Sequence, residues 1–135
     1  MNDTQVMNIL SKVAETVEPF PRARLAAGLV YKNELISIGT NKKKSHPFQK
    51  KYGTNEDAIF LHAETDAIYN ALRKYDSTIL AKSKLYVCRV KWFDENKKNI
   101  LLGMAKPCPG CQRAIATFNI KHVCYSTDAE TYDYL

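Results

Sequence analysis

The sequence predicts an α/β layered fold in one domain, built around a mixed β-sheet. Three observations carry that reading. Apolar residues recur at helical spacing in residues 4–17, 60–75 and 111–118, and short β-branched and aromatic runs alternate with them at 24–40, 83–90 and 122–127. The 135 residues, 45% of them hydrophobic, are enough for one core and too few for two ordinary domains. No repeat, low-complexity tract or linker breaks the order, so residues 1–135 read as a single domain whose helices and strands cover one another as layers.

The elements follow in order. Residues 4–17 place Val6, Ile9, Leu10, Val13 and Val17 on one helical face, with Asp3 or Thr4 available as N-cap. RLAAGLVY and ELISIGT are separated by Lys32 and Asn33, a polar pair of the length that closes an antiparallel hairpin. A basic loop over residues 41–55 leads into FLHAETDAIYNALRKY, where Glu64, Ala67, Ile68, Ala71, Leu72 and Tyr75 share one helical face. That places a carboxylate on the buried side of the helix. SKLYVCRV is a strand, and WFDENKKNILLGMA after it reads as an inserted hairpin with its polar tip at residues 94–99. CQRAIATF carries Cys111, Ala114, Ile115 and Phe118 on one helical face, and HVCYST is the last clear strand.

The opening MNDTQVMNILSKVAETVE lacks the basic start of a secretory signal, and no apolar run reaches membrane-spanning length. The expectation is a soluble cytoplasmic protein without a membrane partner, its cysteines held as thiols or metal ligands. The net charge is +6, from 20 Lys and Arg against 14 Asp and Glu. It concentrates in KKKSHPFQKK, with no acid between Glu34 and Glu56, while residues 128–135 are acidic. A solvated, solubilising face is one reading of that run. The other is a rim that draws phosphate toward a cleft.

The chemistry lies in two short motifs. Cys108 and Cys111 in KPCPGCQ are spaced so that both sulfurs can reach one metal ion, and a helix N-terminus there favours the thiolate form. Pro107 suits the helix start, where a missing donor costs nothing. His62 is the candidate third ligand, which leaves a fourth tetrahedral position for water. Glu64, costly on a buried face, gains a role beside such a water by moving its proton. Residues two apart do not share a helix face, so His62 must lie in the first turn. Each motif has competitors taken alone: chance for HxE, a redox pair or structural zinc for CxxC. Taken together and in this order, they match a zinc deaminase signature. Cys88 and Cys124 fall in strands, where a reduced cysteine serves as a small buried hydrophobe.

With His62, Ala63, Glu64 and Pro107, Cys108, Cys111 in place, the sequence resembles the cytidine and deoxycytidylate deaminase superfamily over most of its length. The resemblance implies a three-layer α/β/α fold, a Zn2+ cofactor held by His62, Cys108 and Cys111, and hydrolytic deamination with Glu64 as the catalytic proton shuttle. It also implies substrate contacts at Ala63 and at Asn41 in IGTN. The segment between SKLYVCRV and the cysteines is longer than in members acting on free deoxycytidylate, and is similar to that of toxin and phage-encoded relatives, some of which act on DNA.

For the substrate, the expectation is cytosine converted to uracil, with single-stranded DNA first. Lysines interleaved with His46, Phe48 and Tyr52, and Trp92 with Phe93, suit a strand whose bases stack and whose phosphates pair. Lys42, Lys43, Lys44, Phe48, Tyr52 and Trp92 are the contacts this reading names. A free cytosine nucleotide or nucleoside is the alternative, and a silent zinc module that binds nucleic acid is the third reading.

Overall fold

The computed structural model describes residues 1–17, 24–42, 46–52, 61–92 and 100–135, with Trp92 described through its backbone. Lys43, Lys44 and the tip of the inserted hairpin lie outside the described residues, as does the Trp92 side chain.

Helix α1 (Asp3–Glu15) is capped by Asn2, one residue before the nearer of the two expected caps. Asn2 Oδ1 accepts from the Gln5 N–H at 2.8 Å, and Gln5 Oε1 accepts from the Asn2 N–H at 2.9 Å, a reciprocal capping box. Asp3 is occupied elsewhere: its carboxylate accepts from the hydroxyls of Tyr86 and Tyr134. The buried stripe is Val6, Met7, Leu10 and Ala14, while Ile9, on its flank, is 36% exposed.

Strands β1 (Arg24–Tyr31) and β2 (Glu34–Thr40) form the expected hairpin. Lys32 and Asn33 have φ of 49° and 64°, the left-handed pair that a tight two-residue turn matched to strand twist requires. Within the basic segment, expected as loop, helix α2 (Pro47–Tyr52) forms and buries Gln49 and Tyr52. Helix α3 (Ala63–Leu72) follows; Tyr75 lies beyond its end and is exposed. A short helix not foreseen, α4 (Ser77–Ala81), is capped by Asp76 Oδ1, which accepts from the Thr78 N–H.

Strand β3 (Lys84–Trp92) pairs antiparallel with β4 (Ile100–Gly103) from Arg89↔Gly103 to Trp92↔Ile100, as the inserted hairpin required. Helix α5 (Pro109–Thr117) and strand β5 (His122–Ser126) come next. The acidic tail closes the fold with one more strand, β6 (Tyr132–Tyr134), antiparallel to β5.

Among the described residues the strands form one six-stranded sheet in the order β2-β1-β3-β5-β6, with β4 extending the far half of β3. The β3–β5 pair is parallel and the other pairings antiparallel, so the sheet is mixed. On one face α1 packs Val6 and Leu10 against Ala26, Tyr86 and Val90. On the other, α3 and α5 pack Ala67, Ile68, Ala114 and Ile115 over Ala27, Leu29, Leu85 and Val87. These are the three layers α/β/α. Cys88 and Cys124 lie in the α1 layer as buried hydrophobes, and burial pushes each thiol up to about 11.

One close approach sets the position of α3. A Cβ on Gly39 would lie 2.2 Å from the Ala67 nitrogen and 2.5 Å from the Ala63 oxygen, so the helix backbone rests directly on β2. Ser37 Oγ donates to the Ala67 carbonyl at 2.9 Å, Asn70 Nδ2 to the Ile38 carbonyl at 3.0 Å, and the Thr40 N–H to Asp66 Oδ2 at 3.0 Å. The N-terminus of α3 is thereby fixed at the end of the sheet where β2 stops.

Candidate metal centre

His62 is the N-cap of α3, with extended φ −86° and ψ 159°, and its side chain makes no capping hydrogen bond. This resolves the spacing problem. His62 stands just outside the helix while Glu64 is inside its first turn, so side chains two residues apart can serve one site. Cys108 is likewise the N-cap of α5, and Cys111 lies in that helix's first turn, its N–H directed at the Cys108 sulfur at 3.5 Å. The proline at the helix start is Pro109 rather than Pro107, whose carbonyl instead accepts from Gln112 Nε2 at 2.8 Å.

The ligand atoms of His62, Cys108 and Cys111 all lie within 4.8 Å of one another. His62 Nδ1 is 3.5 Å from the Cys108 sulfur and 3.3 Å from that of Cys111. Tetrahedral zinc, with bonds of about 2.3 Å to sulfur and 2.0–2.1 Å to nitrogen, separates S and N by about 3.5 Å. The trio therefore fits zinc in both donor type and spacing. One imidazole and two thiolates leave the fourth corner open.

The electrostatics agree with a cation at this place. A hydrogen bond from Cys111 pulls the Cys108 thiol down to about 4, against burial and with His62 assisting. Cys111 is pushed far up by its hydrogen bond to Cys108 and by burial. His62 is raised by its hydrogen bond with Cys108. Glu64 is 4% exposed, and burial raises its carboxyl above the ordinary range, with His62 among the groups opposing the shift.

The remaining predicted contacts separate. Ala63 is the first residue of α3 and fully buried. The side-chain oxygen of Asn41 accepts from the Leu25 N–H at 2.9 Å, which fixes that carboxamide just past the end of β2. Lys42 is ion-paired with the buried carboxylate of Asp66 on α3, and its Nζ also reaches Thr40 Oγ1 at 3.3 Å. Phe48 and Tyr52, expected as exposed stacking faces, are packed inward. Phe48 stacks on Phe118 at 6.2 Å and meets Tyr69 at 5.6 Å, and Tyr52 is 5% exposed. The cause is α2 itself, whose i, i+4 aromatic pair faces the core.

Two residues at the site were not foreseen. Gln49 is fully buried and its Oε1 accepts from the His62 N–H at 3.0 Å and from the Thr65 hydroxyl. Asp66 ties α3 to both Thr40 and Lys42. The proline before Phe48 and Tyr52 was the available signal for a helix that would turn Gln49 inward.

The model of the cytidine and deoxycytidylate deaminase zinc-binding region matches residues 1–127. No curated protein matches the chain. Among solved structures, the deoxycytidylate deaminase of cyanophage S-TIM5 aligns with a TM-score of 0.63 at 20% identity, covering 94% of this chain and 86% of that one. The cytidine deaminase of Burkholderia pseudomallei aligns with a TM-score of 0.66 at 14% identity, covering 100% of this chain and 92% of that one. Both likenesses are of fold.

Proposed function

Because the chain belongs to the cytidine and deoxycytidylate deaminase family, we propose that it hydrolytically deaminates the cytosine base of a free nucleotide, with Glu64 as proton shuttle. The observation that carries the reading is the trio His62, Cys108 and Cys111 at zinc spacing with the buried carboxyl of Glu64 at the same helix start. Zinc held there supplies a water that ionises near neutral pH. His62 and the two thiolates would hold the ion, their positions set by the starts of α3 and α5. Glu64 accepts a proton from the attacking water and delivers it to the departing amino nitrogen. The C4–N bond breaks, an oxygen replaces the nitrogen, and ammonia leaves. Asn41, whose side-chain oxygen is held by the Leu25 N–H, is assigned to the sugar in this reading.

A monomeric substrate is favoured over a strand by the packing of Phe48 and Tyr52 and by the pairing of Lys42 with Asp66. Those groups have less to offer to stacked bases and phosphates than the sequence implied. One cyanophage relative of this fold has been solved with deoxycytidylate and deoxyuridylate, which supports the nucleotide reading. The second reading, cytosine in single-stranded DNA, keeps the support of the exposed Lys50 and Lys51 on α2. Zinc-loaded protein given deoxycytidylate, deoxycytidine or a cytosine-containing oligonucleotide, with uracil products read by mass spectrometry, separates the two. The nucleotide should give the highest kcat/KM. Uracil formed in the oligonucleotide with a larger kcat/KM, falling steeply with salt, would transfer the assignment to the strand.

A further inference from the structure

We propose that Gln49 is a positioning residue of the metal centre, its carboxamide oxygen locking the turn that aims His62 and Glu64. The inference rests on the deaminase reading only for its catalytic readout. A helix start leaves N–H groups without partners, and a capping box meets two of them through the N-cap and N3 side chains. At α3 neither side chain can do so. His62, the N-cap, has its imidazole turned to Cys108 and Cys111, and Thr65, the N3 residue, is too short to reach back to the His62 N–H. Gln49, from a different helix, supplies the half of the box that meets the N-cap N–H. Its Oε1 accepts from the His62 N–H at 3.0 Å and from the Thr65 hydroxyl, so one buried oxygen joins both ends of the turn that also contains Glu64.

Two further observations show that the amide is kept for this oxygen. Gln49 is fully buried, and its Nε2 has no hydrogen-bond partner among the described residues. A buried donor without a partner is costly, and a methionine or leucine in the same space would avoid the cost. Its carrier is also held firmly. Helix α2 lies across both helices that supply ligands, with Phe48 against Tyr69 of α3 and both Phe48 and Tyr52 against Phe118 at the end of α5. Gln49 therefore transmits the placement of α2 to the backbone of a metal ligand, much as an outer-shell group orients an inner one.

The test uses Gln49→Met, which keeps length and removes the oxygen, Gln49→Glu, which keeps an oxygen, and Thr65→Val, which removes the second partner. Zinc affinity is read by competition with a chromophoric chelator. The Co2+-substituted protein is read by its visible spectrum, and kcat is expressed per bound zinc. Gln49→Met should lose about 10- to 100-fold in zinc affinity or in kcat per zinc, with altered cobalt bands and little change in KM. Gln49→Glu should recover most of that loss, and Thr65→Val should show a smaller loss in the same direction. Zinc affinity, cobalt spectrum and kcat per zinc in Gln49→Met all within twofold of the parent would overturn the proposal, as would equal losses in Gln49→Met and Gln49→Glu. If the Gln49 variants do not fold, an unchanged Thr65→Val protein overturns it. Should the parent turn over no cytosine substrate, the metal affinity and cobalt spectrum still decide.

Discussion

Glu64→Gln keeps the size and burial of the side chain and removes its ability to carry a proton. Zinc should stay bound by His62, Cys108 and Cys111, while turnover falls by about 10²- to 10⁴-fold, the usual worth of a positioned acid–base group. Metal content and ammonia release measured on one sample check this, and retained activity would remove Glu64 from the chemistry. Lys42→Ala should have a different profile. Its partner Asp66 is nearly hidden, but the Lys42 side chain is 44% exposed, so the loss of stability should stay below about 1 kcal/mol in denaturant titration. That His62, Cys108 and Cys111 would meet, with Glu64 buried at the same helix start, was legible in the sequence because zinc chemistry restricts which residue types can stand together. Lys42 and Phe48 were not legible in the same way. A lysine looks free until the fold gives it Asp66, and an aromatic in a basic run looks exposed until a helix turns it inward.

The most demanding contact between elements is that of α3 with β2. Gly39→Ala would place a methyl 2.2 Å from a helix backbone nitrogen, with backbone on every side and no flexible side chain able to yield. The helix must then lift, at a cost of about 1–3 kcal/mol or more for overpacking. It carries His62 and Glu64 with it. Thermal melting should show the destabilisation, and zinc affinity and activity should fall together; a variant that melts normally and binds zinc normally would contradict this account of how α3 is placed. The elements that periodicity marked strongly, α1, the β1–β2 hairpin, α3, β3, α5 and β5, stand where the pattern put them. Those it did not mark are short. Helices α2 and α4 have six and five residues, too few for a helical repeat to show, and β6 has three. Their signals were local: a proline before an aromatic pair, an Asp N-cap, and tyrosines alternating in a tail that charge made look solvated.

At the scale of the whole molecule, the chain's beginning is tied to its end. Asp3 at the start of α1 accepts from Tyr134 on β6 and Tyr86 on β3, and these hydrogen bonds hold its carboxyl below the ordinary value of 3.8. The same bond, seen from the other side, pushes the Tyr134 hydroxyl up to about 12. A depressed carboxyl stabilises the fold above its unfolded value and loses that contribution as pH falls through the folded one. Asp3→Asn should therefore be less stable than the parent at neutral pH, and the difference should shrink below about pH 4. Urea titrations at pH 7 and pH 3 check the sign. The layer order was legible from the alternation of helix and strand, but this clasp was not, because it joins residues 3 and 134 through side chains that no spacing rule connects. The proposed function requires one zinc ion on His62, Cys108 and Cys111 for deamination of cytosine. It is tested most directly by adding zinc stepwise to metal-free protein and following uracil nucleotide formed from deoxycytidylate. The rate should rise linearly and level off at one equivalent. No product at one equivalent, or product formed equally by the metal-free protein, would contradict the claim.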